Sequence, residues 1–196
     1  MRSFCLAVVV VAALALAGLT AGSASARVAK GADVTADFSE VGVGNVMDSR
    51  FFHSSGLTFP EEQCQPDCAS WAIEQIQGDA ALPQPPGRRP IVGRFSRPVS
   101  AVSLRVAPSL QGTAVYVLRA FSADGRVVDE RAMSVTQDFG DPANTGFAYF
   151  TIGVSGLRHP AKWFAIDNIF VRSSFGGTFV SYGVASVSFT QWPGGG

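Results

Sequence analysis

Carboxylate and amide side chains form three clusters in this sequence whose chemistry suits a bound cation. Asp37 and Glu40 lie in VTADFSE, a second group lies in the turn-rich segment 138–146, and Asp167 precedes Asn168 in WFAIDNIFV. Ca²⁺ takes oxygen ligands of both kinds and binds to extracellular modules. The composition of residues 138–146 is also that of an ordinary loop. The first and third clusters, which lie in apolar segments, are therefore the stronger candidates for a structural calcium site.

Asp167 and Asn168 stand on opposite faces of a predicted strand, because successive side chains of a strand point to opposite sides. The other members of each face between Trp163 and Val171 are apolar. A buried carboxylate is costly unless hydrogen bonds or a cation compensate its charge. The sequence therefore predicts that Asp167 is buried and is held either by backbone amides or by a bound ion.

Groups that could carry out catalysis are poorly arranged. The GVSG segment around Ser155 lacks the glycine, two places after the serine, that a nucleophile elbow requires. Phosphate-binding loops of the Gly-Lys-Ser/Thr type are missing. The carboxylate pairs 61–62 and 129–130 are adjacent, so on a strand their side chains point to opposite faces and cannot face each other across a sugar. The sequence therefore predicts a protein that is not an enzyme.

The N-terminus has the pattern of a secretory signal peptide. Arg2 precedes the apolar stretch 4–19, and small residues at 24–26 precede a predicted cleavage after Ala26. The apolar stretch is short for a membrane span, and no span is predicted in the mature chain. We therefore expect a secreted, extracellular protein in which 170 of the 196 residues remain after cleavage.

Two cysteines remain in the predicted mature chain, Cys64 and Cys68 in CQPDC. An even pair in an exported protein is most simply a disulfide, and the intervening Pro-Asp supplies the turn that such a short bridge needs. Together with His53 and His159 the same thiols could form a zinc set. The histidines lack the spacing of a zinc motif and the compartment favours oxidation, so the disulfide is the preferred interpretation.

The charge of the mature chain is balanced, with 14 basic and 15 acidic residues. This balance predicts no nucleic-acid partner and no attraction to an anionic membrane surface. Residues 27–190 are expected to form one domain, because the part before the Pro-rich segment 81–90 is too short for a core of its own. Residues 191–196 form a Gly-rich tail that is expected to be flexible. The oligomeric state stays open.

Alternation of apolar and polar residues predicts strands along most of the mature chain. The clearest pair is a hairpin of residues 114–121 and 126–135, with a tight turn at Asp124-Gly125. Further predicted strands are 33–39, 56–59, 91–96, 101–106, 147–154, 163–171 and 179–189. Residues 68–77 fit either a helical turn or a strand. Many short strands separated by turns predict an all-β fold, a single antiparallel β-sandwich of jelly-roll type.

Four segments, VTADFSEVGVG, GLTF, LRAFSADGRVV and WFAIDNIFV, resemble in that order the secreted jelly-roll modules that include galactose-binding-like and MAM-type domains. The resemblance implies that the opening acidic residues and the closing-strand aspartate lie close together and hold a structural cation. By position it nominates Asp37 and Asp167, with Glu40 and Asn168 as further ligands. Here Ser39 follows Phe38, so Glu40 falls on the opposite face of a regular strand. The rival interpretation is that Asp167 accepts hydrogen bonds from backbone amides joining the first and last strands.

Modules of this kind often bind sugars, whose apolar faces pack on aromatic rings while polar side chains bind the hydroxyl groups. The candidate rings are Trp71, Tyr149, Tyr182 and Trp192, and the two tryptophans are preferred because they lie in or beside irregular segments. The predicted function is a non-catalytic module that binds an extracellular glycan or another cell-surface component. The alternatives are a structural or protein-interaction domain without a small ligand, and a jelly-roll hydrolase or lyase acting on polysaccharide.

Overall fold

The computed structural model describes residues 31–45, 54–60, 72–76, 79–85, 89–108, 112–137, 149–172 and 182–193. Several predicted features lie outside these ranges: the signal peptide 1–26, the Cys64 and Cys68 pair, Trp71 and the loop 138–146. Within the described ranges, no helix is long and apolar enough to cross a lipid bilayer.

The described residues form ten strands that pair antiparallel, which confirms the predicted all-β class. The predicted hairpin is confirmed as the sixth and seventh strands, and Gly125 in its turn has a φ of 84°, which glycine tolerates without strain. The strands are β1 (Asp33–Asp37), β2 (Leu57–Thr58), β3 (Glu74–Ile76), β4 (Asp79–Pro83), β5 (Ile91–Pro108), β6 (Gly112–Phe121), β7 (Val127–Gln137), β8 (Phe150–Ser155), β9 (Ala161–Arg172) and β10 (Tyr182–Gln191).

The longest strand, β5, belongs to both layers of a β-sandwich. Residues 91–95 pair with β9 and β2, whereas residues 99–108 pair with β10 and β8. The front sheet therefore has the order β2, β5, β9, β6, β7. The back sheet has the order β8, β5, β10, with β1 and β4 both against the other edge of β10 and β3 beyond β4. The register between β5 and β9 shifts between Arg94 and Val99, where β5 passes from one sheet to the other.

Two strands predicted separately, 91–96 and 101–106, are joined in the structure as β5. Pro98 lies between them, and because proline has no N–H to donate, the pattern predicts a break there. The residue is tolerated where β5 changes partners, and its carbonyl accepts a 2.8 Å hydrogen bond from the backbone N–H of Trp192. The predicted loop 81–90 begins within β4, and the ambiguous segment 68–77 contains β3.

The hydrophobic core lies between the two sheets. Tyr116 of β6 is fully buried, and its ring centroid lies 4.7 Å from that of Phe150 on β8 and 5.7 Å from that of Tyr182 on β10. Neither β8 nor β10 pairs with β6, so these contacts join front sheet to back sheet. Ala114, Leu118 and Ala120 of β6 alternate with Tyr116 and are buried on the same face, and Val117 is buried on the opposite, outer face.

Candidate functional site

Asp167 lies on the outer face of the front sheet, opposite Val117 of β6. Phe164 and Ile166 point into the core, so the alternate side chains of β9 point outward. Asp167 is partly exposed, and its Oδ1 accepts a 2.8 Å hydrogen bond from the backbone N–H of Asn168. The prediction of a well-buried carboxylate is wrong. An apolar outer face looks like a second fully buried face in the sequence, whereas here it is only partly covered: Val117 and Ala165 are buried, and Ile169 is 56% exposed.

The predicted calcium ligands lie on strands that are not neighbours. Asp37 ends β1, which pairs with β10, whereas Asp167 and Asn168 lie on β9 between β5 and β6. The Asp37 carboxylate accepts a 2.9 Å hydrogen bond from the Ser39 N–H, and Glu40 is exposed. The prediction that Asp167 lies beside the strand of Asp37 is therefore wrong. In the part of the chain that the structure describes, no three His, Cys, Asp or Glu side chains converge as metal ligands would.

Tyr182, one of the four predicted sugar-binding rings, is fully buried. Its hydroxyl donates a 2.7 Å hydrogen bond to the carbonyl of Ile166, and its ring meets Tyr116 edge to face. Burial raises the pKa of Tyr182 well above its ordinary value. The prediction that Tyr182 contacts a ligand is therefore wrong, because both faces of the ring are taken up by the core.

Tyr149 and Trp192 are partly exposed, but each also has a structural contact. The hydroxyl of Tyr149 donates a 2.6 Å hydrogen bond to the Ile76 carbonyl, and the guanidinium of Arg105 lies 4.0 Å from its ring centroid. Arg105 also forms a 2.9 Å ion pair with Asp79, so the ring is part of a fixed contact between β3, β4 and β5. Trp192 packs against the core cluster. The sugar-binding roles of Tyr149 and Trp192 stay predictions.

A different tryptophan forms the most distinctive aromatic feature of the surface. Trp163 of β9 stacks face to face on Phe121 of β6, with ring centroids 3.8 Å apart and planes inclined by 4°. The two residues are cross-strand partners on the outer face of the front sheet. The indole Nε1–H also donates a 3.1 Å hydrogen bond to the Ser122 carbonyl. These contacts fix the orientation of the indole, and Arg94 of β5 is its partner on the other side.

Trp163 lines a depression of about 550 Å³, which we name the front cavity. Its wall on one side comes from β5 and on the other from the β6–β7 turn at residues 123–125. The lining residues are Val92, Arg94, Phe95, Ala123, Asp124, Gly125, Lys162 and Trp163. A partly exposed aromatic ring beside charged side chains and backbone groups is the arrangement that binds a polar ligand with an apolar face.

A second depression of about 530 Å³, the side cavity, lies against the same turn. It shares Ala123, Asp124 and Lys162 with the front cavity. Its other lining residues are Pro98, Ser122, Arg126, Val127, Val128, His159 and Pro160. Two of the shared residues, Ala123 and Asp124, belong to the β6–β7 turn, which therefore borders both cavities.

Hydrogen bonds and an ion pair hold three charged groups of this region, Lys162, Asp124 and Arg126. The Lys162 ammonium donates a 2.6 Å hydrogen bond to the Ser96 carbonyl. The Asp124 carboxylate accepts a hydrogen bond from the Ser122 hydroxyl and forms a 2.8 Å ion pair with Arg126. The Ser122 hydroxyl, and after it the charge of Arg126, holds the pKa of Asp124 below its ordinary value. Asp124 is therefore ionised at neutral pH and its charge is already compensated.

The outer face of the back sheet carries a smaller depression of about 360 Å³, lined by residues of β1, β5, β8 and β10. Five of its twelve lining residues carry small hydroxyl side chains, and the hydroxyl oxygens of two of them, Thr35 and Ser188, are hydrogen-bonded at 3.0 Å. Its aromatic residue, Phe189, belongs to the core cluster. Among the described cavities, the front cavity therefore offers the better combination of ring and charge.

Sequence alternation correctly places Trp163 on one face of its strand with Asp167, but it also predicts that this face is covered. Arg94, Lys162 and Asp124 belong to segments about 30 to 70 residues apart in the chain, and none lies in a recognisable motif. No protein-family model matches the chain, and no curated protein matches its sequence. The resemblance to galactose-binding-like and MAM-type modules therefore stays a prediction.

Proposed function

We propose that the protein is a secreted, non-catalytic module that binds carbohydrate in the front cavity. The observation that carries the proposal is that Trp163, stacked on Phe121, lines a cavity together with Arg94, Lys162 and Asp124. The apolar face of a sugar ring packs on an aromatic ring, and its hydroxyls bind charged and amide groups. The front cavity supplies both kinds of contact.

Preorganisation supports the same proposal. Phe121 and the Ser122 carbonyl hold Trp163 in place, and the Ser96 carbonyl holds Lys162. A ligand that binds side chains already fixed in position loses less conformational entropy than one that must order them. A shallow site of this size can therefore bind one or two sugar units of a longer chain without closing over them.

A glycan array and a polysaccharide pull-down with the purified protein test the proposal. We expect Trp163→Ala to weaken binding by about tenfold or more, since it removes the apolar contact surface. Trp163→Leu keeps an apolar partner for Phe121 and should also lose affinity, which separates loss of the ring from loss of folding. Trp192→Leu keeps an apolar side chain against the core cluster, serves as the matched control for Trp163→Leu and should bind normally. Binding lost in Trp192→Leu but retained in Trp163→Leu would contradict the site.

A protein partner on the same face is the second candidate. Val127 is 51% exposed and is the cross-strand partner of Phe121, whereas Ile169, which is 56% exposed, lies farther along β9 opposite Val115. Exposed apolar side chains on one face of a sheet, one of them beside an aromatic pair, are typical of a protein-binding surface. If the folded protein binds no glycan on the array, this candidate is favoured. If the protein instead releases reducing sugar from a polysaccharide, the hydrolase is favoured.

A further inference from the structure

We infer that the glycan bound in the front cavity is an acidic polysaccharide that carries carboxylate groups. This inference rests on the proposed function and adds the chemical class of the ligand. Its starting point is the sign of the charges beside Trp163: two cations, Arg94 and Lys162, and one carboxylate, Asp124, line the cavity. Arg126, which lines the side cavity, pairs with Asp124, so Arg94 and Lys162 remain as the cations without a carboxylate partner among the lining residues.

The single carboxylate of the front cavity does not balance these cations. Asp124 accepts a hydrogen bond from the Ser122 hydroxyl and pairs with the guanidinium of Arg126, so its charge is already compensated. The chain as a whole is nearly neutral, with 15 basic and 15 acidic residues. An excess of positive charge around one cavity is therefore a local property, and an anionic ligand would relieve it.

Arg94 is available to bind a carboxylate. It is exposed, lies on β5 as the cross-strand partner of Trp163, and forms no hydrogen bond or ion pair through its side chain within the described residues. By contrast, Arg105 and Arg119 elsewhere on the sheets are paired with Asp79 and Glu130. A guanidinium donates two parallel hydrogen bonds to a carboxylate, which gives both affinity and orientation.

Lys162 provides a second anchor at a fixed place. One of the three N–H donors of its ammonium binds the Ser96 carbonyl, and two remain for other acceptors. The residue lines both cavities, on either side of the β6–β7 turn. An acidic chain whose sugar ring packs on Trp163 could therefore place one carboxylate at Arg94 and another acceptor at Lys162.

Isothermal titration with a polyuronate and with its fully methyl-esterified form tests this inference, because the two polymers share a backbone and differ in charge. We expect the polyuronate to bind at least tenfold more tightly, and Arg94→Gln to lower its affinity by about tenfold, as loss of a charge-assisted hydrogen bond does. Lys162→Gln should lower it less. Arg131→Gln removes the same charge from an exposed position on β7 that lines neither cavity, and should bind as the unmodified protein does.

Three results would overturn the inference. If the esterified and free polymers bind equally well, and Trp163→Leu loses this binding, the proposed carbohydrate binding is supported but the preference for an acidic ligand is wrong. Equal loss in Arg94→Gln and Arg131→Gln would indicate unspecific attraction by net charge. Arg94-dependent binding of dextran sulfate that equals or exceeds binding of the polyuronate would assign the site to sulfate esters. Failure of every polysaccharide to bind would remove the proposed function itself.

Discussion

The hydroxyl of Tyr182 in the back sheet donates a 2.7 Å hydrogen bond to the carbonyl of Ile166 in the front sheet. Both residues are fully buried, so the bond crosses the core of the sandwich. Tyr116 lies 5.7 Å away, ring centroid to ring centroid, and its buried hydroxyl has no hydrogen-bond partner in the described part of the structure. The two tyrosines thus share an environment and differ in whether the hydroxyl is satisfied.

Substitution of the two tyrosines by phenylalanine should have opposite effects. Tyr182→Phe leaves the Ile166 carbonyl without its donor and should lower the free energy of unfolding by about 1–3 kcal/mol. Tyr116→Phe removes a hydroxyl that forms no bond and should be neutral or stabilising by up to about 1 kcal/mol. Urea unfolding of the two variants measures both values. A larger loss in Tyr116→Phe than in Tyr182→Phe would show that the Tyr116 hydroxyl has a partner.

The buried tyrosines also predict how stability depends on pH. Burial raises the pKa of Tyr116 and of Tyr182 in the folded state above the ordinary value of 10.0. The unfolded chain therefore loses these protons first as the pH rises, and the stabilisation present below pH 10 declines above it. Unfolding free energy measured from pH 8 to 11 should fall at the upper end. The unfolding free energy of the Tyr116→Phe, Tyr182→Phe double variant should fall less steeply with pH. An identical slope in the two proteins would contradict the prediction.

Asp167→Ala should have little effect on stability, in contrast to the loss of several kcal/mol that a buried carboxylate would give. Its described hydrogen bond is to the adjacent Asn168 N–H on a partly exposed face, so we expect a change of less than about 1 kcal/mol. Phe164→Ala on the same strand points into the core and should cost about 3–5 kcal/mol. Denaturant unfolding compares the two. Similar losses would mean that Asp167 is buried after all.

The sequence predicts the strands well because alternation and turn chemistry are local properties. The β6–β7 hairpin follows from the alternation of residues 114–121 and from a Gly that accepts positive φ. Exposure of an apolar face is not a local property, since it depends on what else packs there. The same WFAIDNIFV pattern fits a strand covered on both sides and one whose outer face is partly open, so the pattern alone does not fix the burial of Asp167.

The candidate site could not be predicted for a related reason. Trp163 meets Phe121 only because β9 pairs with β6, and it meets Arg94 only because β9 also pairs with β5. Strand order is fixed by long-range pairing, which the spacing of residues along the chain does not encode. Tyr182 is the opposite case: the sequence predicts an exposed ring, but the ring is buried, because the pattern of its strand does not say which side faces the core.

Gly93 of β5 lies where the side chains of Phe164 and Leu57 leave no space for a Cβ atom. A Cβ added there would lie 2.3 Å from the Phe164 ring and 3.1 Å from Leu57, both fully buried. Gly93→Ala should therefore lower the free energy of unfolding by about 1–3 kcal/mol through overpacking. Phe164→Leu should create space, so the double variant should lose less than the sum of the single losses. Additive losses in urea unfolding would place the strain elsewhere.

Phe121 should support sugar binding without contacting the sugar, because its ring occupies one face of Trp163 and the front cavity lining does not include it. Loss of an aromatic partner worth about 0.5–1.5 kcal/mol should let the indole reorient, so Phe121→Ala should weaken glycan binding about threefold or more. Val115→Ala, on the same face of β6 but opposite Ile169, is the matched control and should bind normally. In a Trp163→Leu background, Phe121→Ala should cause no further loss of affinity, and an independent loss would place Phe121 in direct contact with the glycan.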